Sequence, residues 1–215
     1  MPTGGLVSSY AWRMAWDTAK TKRLLLDAAV DEFAAHGPEG ARIDRIAAAA
    51  GVNKERIYPY FGGKQQLFAA VVQRELERLA AAVPLEEADG KPVDLPEYAG
   101  RVFDYHLAHP HLLRLLQWEA LSGDAADPVA GEEQRAAYYA GKVAAVSRAR
   151  REEGGDRGQA ASPLPPNQLL YAVVALAGWQ FAAPQLARMI IGGTVDEDPS
   201  TRRAAVVDMV RRLTH

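Results

Sequence analysis

The run Lys54-Glu55-Arg56-Ile57-Tyr58-Pro59-Tyr60-Phe61-Gly62-Gly63-Lys64 gathers the side chains of this chain best suited to reading a base edge or gripping a phosphate. An arginine such as Arg56 can donate two parallel hydrogen bonds to guanine O6 and N7. A glutamate such as Glu55 can accept from a cytosine amine, and Lys54 can reach a base or a phosphate. Taken alone, Lys54 and Arg56 read better as solvated charges on a short helix, and a core position is open to Tyr58 and Tyr60. Catalytic constellations are missing. There is no Gly-rich phosphate loop, no G-x-S-x-G, no H-E-x-x-H and no credible carboxylate pair, so no enzyme is expected. His106, His109 and His111 are close in sequence, but Pro110 interrupts the helix between them. No carboxylate has the spacing to complete a first shell, so neither a metal nor a cofactor is expected.

Polar side chains of this kind read DNA only if a rigid element presents them. Residues 42–64, RIDRIAAAAGVNKERIYPYFGGK, supply one: two short helices hinged at a glycine. Ala47 is small enough to let a second helix cross close by. Gly51 stands where the first helix must stop, a left-handed position that is cheapest without a Cβ. Asn53 offers a side-chain oxygen to the free N–H groups that open the next helix. Ile57 falls on its inner face, where it can pack on Ile46 and Ala50. Helix, tight turn, helix is the arrangement that carries one helix into a major groove.

The surroundings sharpen this pattern. TKRLLLDAAVDEFAAHG precedes it as an amphipathic helix, and IYPYFGGKQQLF leads into another. From Thr21 to Val72 the chain resembles the N-terminal domain of the tetracycline-repressor (TetR) family of transcriptional regulators. The resemblance implies that Lys54, Glu55, Arg56 and Tyr58 face bases while Arg42, Tyr60 and Lys64 hold phosphates, with Asn53 at the opening of the reading helix. It also implies a palindromic operator on double-stranded DNA, a homodimer paired through the last two long helices, and a small-molecule effector that releases the DNA. Three residues depart from the family pattern. Arg42 replaces the usual Ser or Thr cap of helix two, at about 1 kcal/mol. Gly63 replaces a stronger cap of helix four, and Pro59 lies inside the reading helix, where it deletes a hydrogen bond and should tighten or kink the last turn.

Composition agrees with that reading. The chain has 215 residues, 48% hydrophobic and 24% charged, and a formal net charge of −2. Nine Lys/Arg face seven Asp/Glu in residues 1–64, against sixteen and twenty in the remainder, so the basic excess lies in the first third. No cysteine is present, which suits a reducing cytoplasm. The longest apolar run, Leu169 to Trp179, is short of the ~20 residues a bilayer span needs, and MPTGGLVSSYAWRMAWD lacks a signal-peptide pattern, so no membrane is expected.

The periodicity is helical throughout, so the expected fold is all-α: a three-helix helix-turn-helix domain joined through helix four to a larger helical bundle. The expected division is a disordered lead over 1–17, a DNA-binding domain over 18–64, and a ligand-binding and dimerisation domain over 65–215. Helices are expected at about 17–36, 43–50, 54–61 and 64–82, then from Asp94 to His109, after Pro110, over 128–153, over 167–183, as a short piece to Gly192, and at the C-terminus. Inner faces include Phe68, Val72, Leu76 and Leu79 on helix four, and Phe61 as a core aromatic. Helix eight is apolar on nearly every side, which places it at a bundle centre or a subunit interface. The effector candidates are aromatics at helical spacing: Phe103, His106, Trp118, Tyr138, Tyr139 and Trp179. With no formal charge inside that set, a neutral or weakly polar apolar effector is expected.

Overall fold

The computed structural model describes residues 5–85, 94–123, 127–154, 164–193 and 197–214, giving the backbone alone for 5–17 and 152–154. Every regular element among the described residues is helical. The chain divides into two compact units, one of Met1–Arg74 with Arg114–Ala125 and one of Glu75–Leu113 with Ala126–His215. The stretch 18–64 lies wholly in the first unit. The division itself falls inside two helices, α4 (Lys64–Ala82) and α6 (His111–Leu121).

In the first unit, α1 (Gly5–Gly40) begins upstream of the Asp17-Thr18 start, so a helical backbone runs through 5–17 where a disordered lead is expected. Ala, Trp, Arg and Met in that stretch are all compatible with a helix. Residues 1–4 lie outside the described part. The expected stop at Gly37-Pro38 appears as a break inside the helix, with Gly37 at φ 66, ψ 174, a region open almost only to glycine. Pro38 then starts the last turn, where its missing N–H costs nothing. Next come α2 (Ile43–Ala50), a 3-10 turn (Lys54–Arg56), α3 (Ile57–Phe61) and the beginning of α4. Leu25, Phe33, Ile46, Ile57, Leu67 and Val71 fill the core, and Phe33 meets Phe68 edge-to-face at 5.1 Å.

Trp118 of α6 belongs to this unit. Its indole N–H donates to the Ala34 carbonyl at 3.3 Å, and its ring lies where a Cβ on Gly37 would stand, at 2.7 Å. It therefore anchors α6 on the end of α1, where it also lines a cavity with Ala34, Gln117 and Leu121.

The second unit is built around α5 (Leu95–Ala108), whose Tyr98, Ala99, Val102 and Phe103 are buried against α8 (Pro166–Ala182) and α10 (Pro199–Thr214). The Asp94 carboxylate caps α5 by accepting from Glu97 N at 2.9 Å. Arg203 of α10 ties to α5 through Glu97 and Asp104, each at 2.8 Å. The remaining helices are α7 (Glu132–Gly154) and α9 (Pro184–Ile191), which meets α8 at a 94° bend. No single helix among the described residues is long and apolar enough to cross a membrane.

Two packing expectations change. Leu76 and Leu79 are only half-buried, whereas Glu75 is buried, held by Arg78 at 2.8 Å and by His111 at 3.1 Å. Those partners are remote in sequence or masked by the apolar stripe, so periodicity favours the leucines. Phe61 is also half-buried, and Ile57 takes the central position.

Gly37→Ala should destabilise the protein by about 2 kcal/mol, from a glycine-only conformation and the Trp118 ring together. That corresponds to a melting temperature about 4–8 °C lower. An unchanged thermal melt would mean that the α1–α6 contact is not held in this form.

Candidate nucleic-acid interface and effector site

The reading element is assembled as its residues dictate. Gly51 closes α2 at φ 65, ψ 31, and Val52 N returns a 3.0 Å hydrogen bond to Ala47 O, so the chain reverses within two residues. Asn53 is extended, and its side-chain oxygen accepts from Glu55 N at 3.0 Å. The expected helix over 54–61 is split, with Lys54–Arg56 wound as a 3-10 turn and only Ile57–Phe61 as α-helix. Pro59 accounts for this. At the third residue of an α-helix its missing N–H has no intrahelical acceptor to lose, so the α-helix starts at Ile57 and the tighter winding precedes it.

One face of this element is open. Tyr58 is 61% exposed, which removes it from the core. Lys54 is exposed and paired with Asp44 of α2 at 2.9 Å; that hydrogen bond raises its pKa. Arg56 donates to the Tyr60 hydroxyl at 2.9 Å, which lowers the pKa of the phenol. Glu55 is exposed, and the Arg42 side chain is exposed at the start of α2 with no capping hydrogen bond. Arg42 N donates to Glu32 of α1 at 2.9 Å, which ties the start of α2 to α1 without supplying the acceptor a Ser/Thr cap would offer to the first turn. Lys64 differs from the simple phosphate reading. Its ammonium donates to Glu39 O at 3.0 Å and Ala41 O at 3.5 Å, the position of a cation closing the end of α1.

The structure adds two neighbours that sequence spacing does not single out. Lys22 lies 5.8 Å from the Tyr60 ring centre, and Thr18 hydrogen-bonds to the Tyr60 hydroxyl. The signal was the basic run Lys20, Lys22, Arg23 at the start of the amphipathic part of α1.

The effector candidates separate into groups. Phe103 and His106 are buried on α5 beside Phe181, at 5.1 and 5.9 Å between ring centres. Gly178 makes room there, since a Cβ on it would come within 3.6 Å of His106 Nε2. His106 Nδ1 has no hydrogen-bond partner, and burial pushes the imidazole pKa down to about 4. Tyr138 and Tyr139 form a second group at 5.5 Å from each other, and here a formal charge is present, contrary to expectation. Lys142 sits one helical turn on, with its ammonium 4.6 Å from the centre of the Tyr138 ring. Trp179 joins neither group. It is 61% exposed on α8, at a groove continued by Leu186, Ile190, Ile191 and Met209. His109 stacks on Tyr105 at 4.0 Å, and His111 binds Glu75, so the three histidines have separate structural tasks.

With this geometry in view, residues 25–71 match the bacterial regulatory proteins of the tetR family, and residues 94–212 match the tetracyclin repressor-like C-terminal domain. The chain belongs to the tetracycline-repressor family. It is 44% identical to the HTH-type transcriptional repressor SCO4008 of Streptomyces coelicolor, over 93% of this chain and 97% of that one. It is 32% identical to the HTH-type transcriptional regulator RutR of Escherichia coli, over 56% and 57% of the two chains. The structure of the SCO4942 regulator of Streptomyces coelicolor superimposes with a TM-score of 0.71 at 34% identity, covering 90% of this chain and 98% of that one. As a TetR-family member, the protein is a transcriptional regulator whose helix-turn-helix lies over α2 and α3.

His106 gives a pH test. Its folded pKa lies below the unfolded value, so the unfolded chain binds more protons between pH 6.5 and about 4. Stability from this group is full above pH 6.5 and falls as pH drops through that window, by on the order of 3 kcal/mol. His106→Leu should flatten this slope in urea titrations and raise the melting temperature at pH 7, because it removes a buried unsatisfied nitrogen. An unaltered slope would show that the imidazole is hydrated or paired in solution.

Proposed function

We propose that this protein is a homodimeric repressor acting in the cytoplasm, which binds a palindromic operator through α2, the 3-10 turn and α3, and leaves it when a small molecule occupies the second unit. The observation that carries the reading is the Asn53-capped turn, which holds Arg56 and the bare Tyr58 ring on one open face. Arg56 and Glu55 are assigned to base edges, with Lys54 and Tyr58 beside them. Arg42, Tyr60, Lys64 and Lys22 are assigned to phosphates. The functional division is 18–64 for DNA and 65–215 for effector and partner.

Existing contacts do not block this. The Lys54–Asp44 pair is exposed on both sides, and such pairs contribute at most about 1 kcal/mol, so a phosphate or base can take the ammonium over. Lys64 can contribute its backbone N–H at the start of α4 while its ammonium stays on α1.

Dimerisation is supported by apolar surface that a lone chain leaves in water. Tyr171, Trp179, Met189, Ile190 and Ile191 are all more than 60% exposed along α8 and α9, beside Met209 of α10. An operator read twice requires recognition elements about 34–36 Å apart, and only a second copy supplies the other one. The name of the 44% identical relative, a repressor, supports repression over activation. Release requires an effector that binds the two spacings of those elements unequally.

A gel shift against the region upstream of the protein's own gene tests the whole reading. Specific retention over bulk competitor is expected, and none would refute operator binding. Arg56→Ala should lose about 1–3 kcal/mol at one position per half-site and relax base choice there; an unchanged binding-site profile would remove its base assignment. Trp179→Glu should give a monomer by sedimentation and lose the shift, whereas a persistent dimer would place the interface elsewhere.

A further inference from the structure

Lys142 is the one buried ammonium among the described residues, 8% exposed on α7. It has no carboxylate partner there. Its single hydrogen bond runs to the Tyr98 hydroxyl of α5 at 2.7 Å. The rest of its surroundings is aromatic: the Tyr98 and Tyr138 rings lie 4.8 and 4.6 Å from the nitrogen. An ammonium carries three N–H donors, so this arrangement leaves hydrogen-bonding capacity over. Ring faces recover only part of the hydration lost, and a buried charge is ordinarily paired. Methionine or leucine would fill the position at lower cost if packing were its only task. Tyr138 and Tyr139, 39% and 42% exposed, form the solvent-facing side of this aromatic cluster.

We propose that Lys142, with the Tyr98 hydroxyl and the Tyr138 and Tyr139 rings, is the anchor of an acidic effector: an organic carboxylate with an aromatic or aliphatic body. The carboxylate takes the free N–H donors of Lys142, and the Tyr98 hydroxyl, already accepting from the lysine, donates its own proton to the second oxygen. The body of the ligand lies along Tyr138 and Tyr139. This deepens the regulator reading and rests on it for the word effector, although the binding chemistry stands without DNA.

The charges facing Lys142 give the site a pH signature. Burial lowers the lysine pKa to about 8. The phenols around it are pushed the other way, Tyr138 up to about 12 and Tyr98 and Tyr139 also upward. The Arg101 charge acts on Tyr98 and the Arg135 charge on Tyr139, in each case against the effect of burial. Between pH 7 and 9.5 Lys142 is thus the group here that changes charge, and a carboxylate should bind less tightly as pH rises through 8.

Three probes matched in shape test this by calorimetric titration of the full-length protein: 4-phenylbutyrate, 4-phenylbutan-1-ol and 4-phenylbutylammonium. The carboxylate should bind about tenfold tighter than the alcohol at pH 7, with the ammonium weakest. Its advantage should shrink to about twofold at pH 9.5, and Lys142→Met should bring it to the same level at pH 7. Equal binding of acid and alcohol, tighter binding of the ammonium in the aromatic cage, or no binding of any probe at millimolar concentration would each overturn the assignment. The ranking and its pH profile need only the wild-type protein, so a poorly folded variant does not rescue the proposal. Gel shifts of wild type and Lys142→Met separate the two readings. Retained operator binding with no preference for the acid defeats the anchor alone, while absent operator binding by the wild type defeats the regulator.

Discussion

Apolar surface on α8, α9 and α10 is the constraint on which the functional architecture depends. Side chains such as Trp179, Met189, Ile190 and Ile191 face outward in a single chain, and monomeric proteins rarely tolerate a contiguous patch of this kind. Covering it with a second copy of the same face yields twofold symmetry without further requirement. In the proposed dimer, twofold symmetry would convert one short reading element into a pair matched to a palindrome.

The face assigned to DNA is ordered by contacts within the protein. Lys54, Arg56 and Lys64 are each satisfied inside the free protein, by Asp44, Tyr60 and the carbonyls at the end of α1. These contacts order the side chains in the free protein, so in the proposed complex Lys54 and Arg56 would lose less freedom on binding. Arg56 keeps unused donors beyond its bond to Tyr60, enough for a guanine edge. Asp44 is a different matter, since a phosphate must displace it from Lys54 and its own charge then faces the polyanion. That repulsion favours positions where Lys54 meets a base.

Local signals in the sequence were sufficient for most of the helices. α2 and α4 have the limits that capping and periodicity predict, and Asp94 caps α5 as expected, because each of these is decided within one or two turns. The Gly51 turn and the Asn53 cap were legible for the same reason. What escaped was set by residues far apart in the chain. Glu75 is buried because His111 reaches it, and Trp118 serves α1 because Gly37 leaves space for its ring. Lys142 was missed because its aromatic surroundings come from Tyr98 on another helix as well as from its own. The splitting of the reading helix at Ile57 followed from a residue already noted, Pro59, whose position relative to the new helix start decides its effect.

The pairing of two copies at a spacing that fits DNA is the central claim, and a dipolar distance measurement reaches it directly. The chain has no cysteine, so Ala49→Cys, at an exposed position on α2, carries one spin label per copy. With operator present, a single narrow distance governed by the groove spacing of about 34–36 Å is expected, broadening or shifting when effector is added. No dipolar coupling at micromolar protein, or a distance indifferent to both operator and effector, would contradict it.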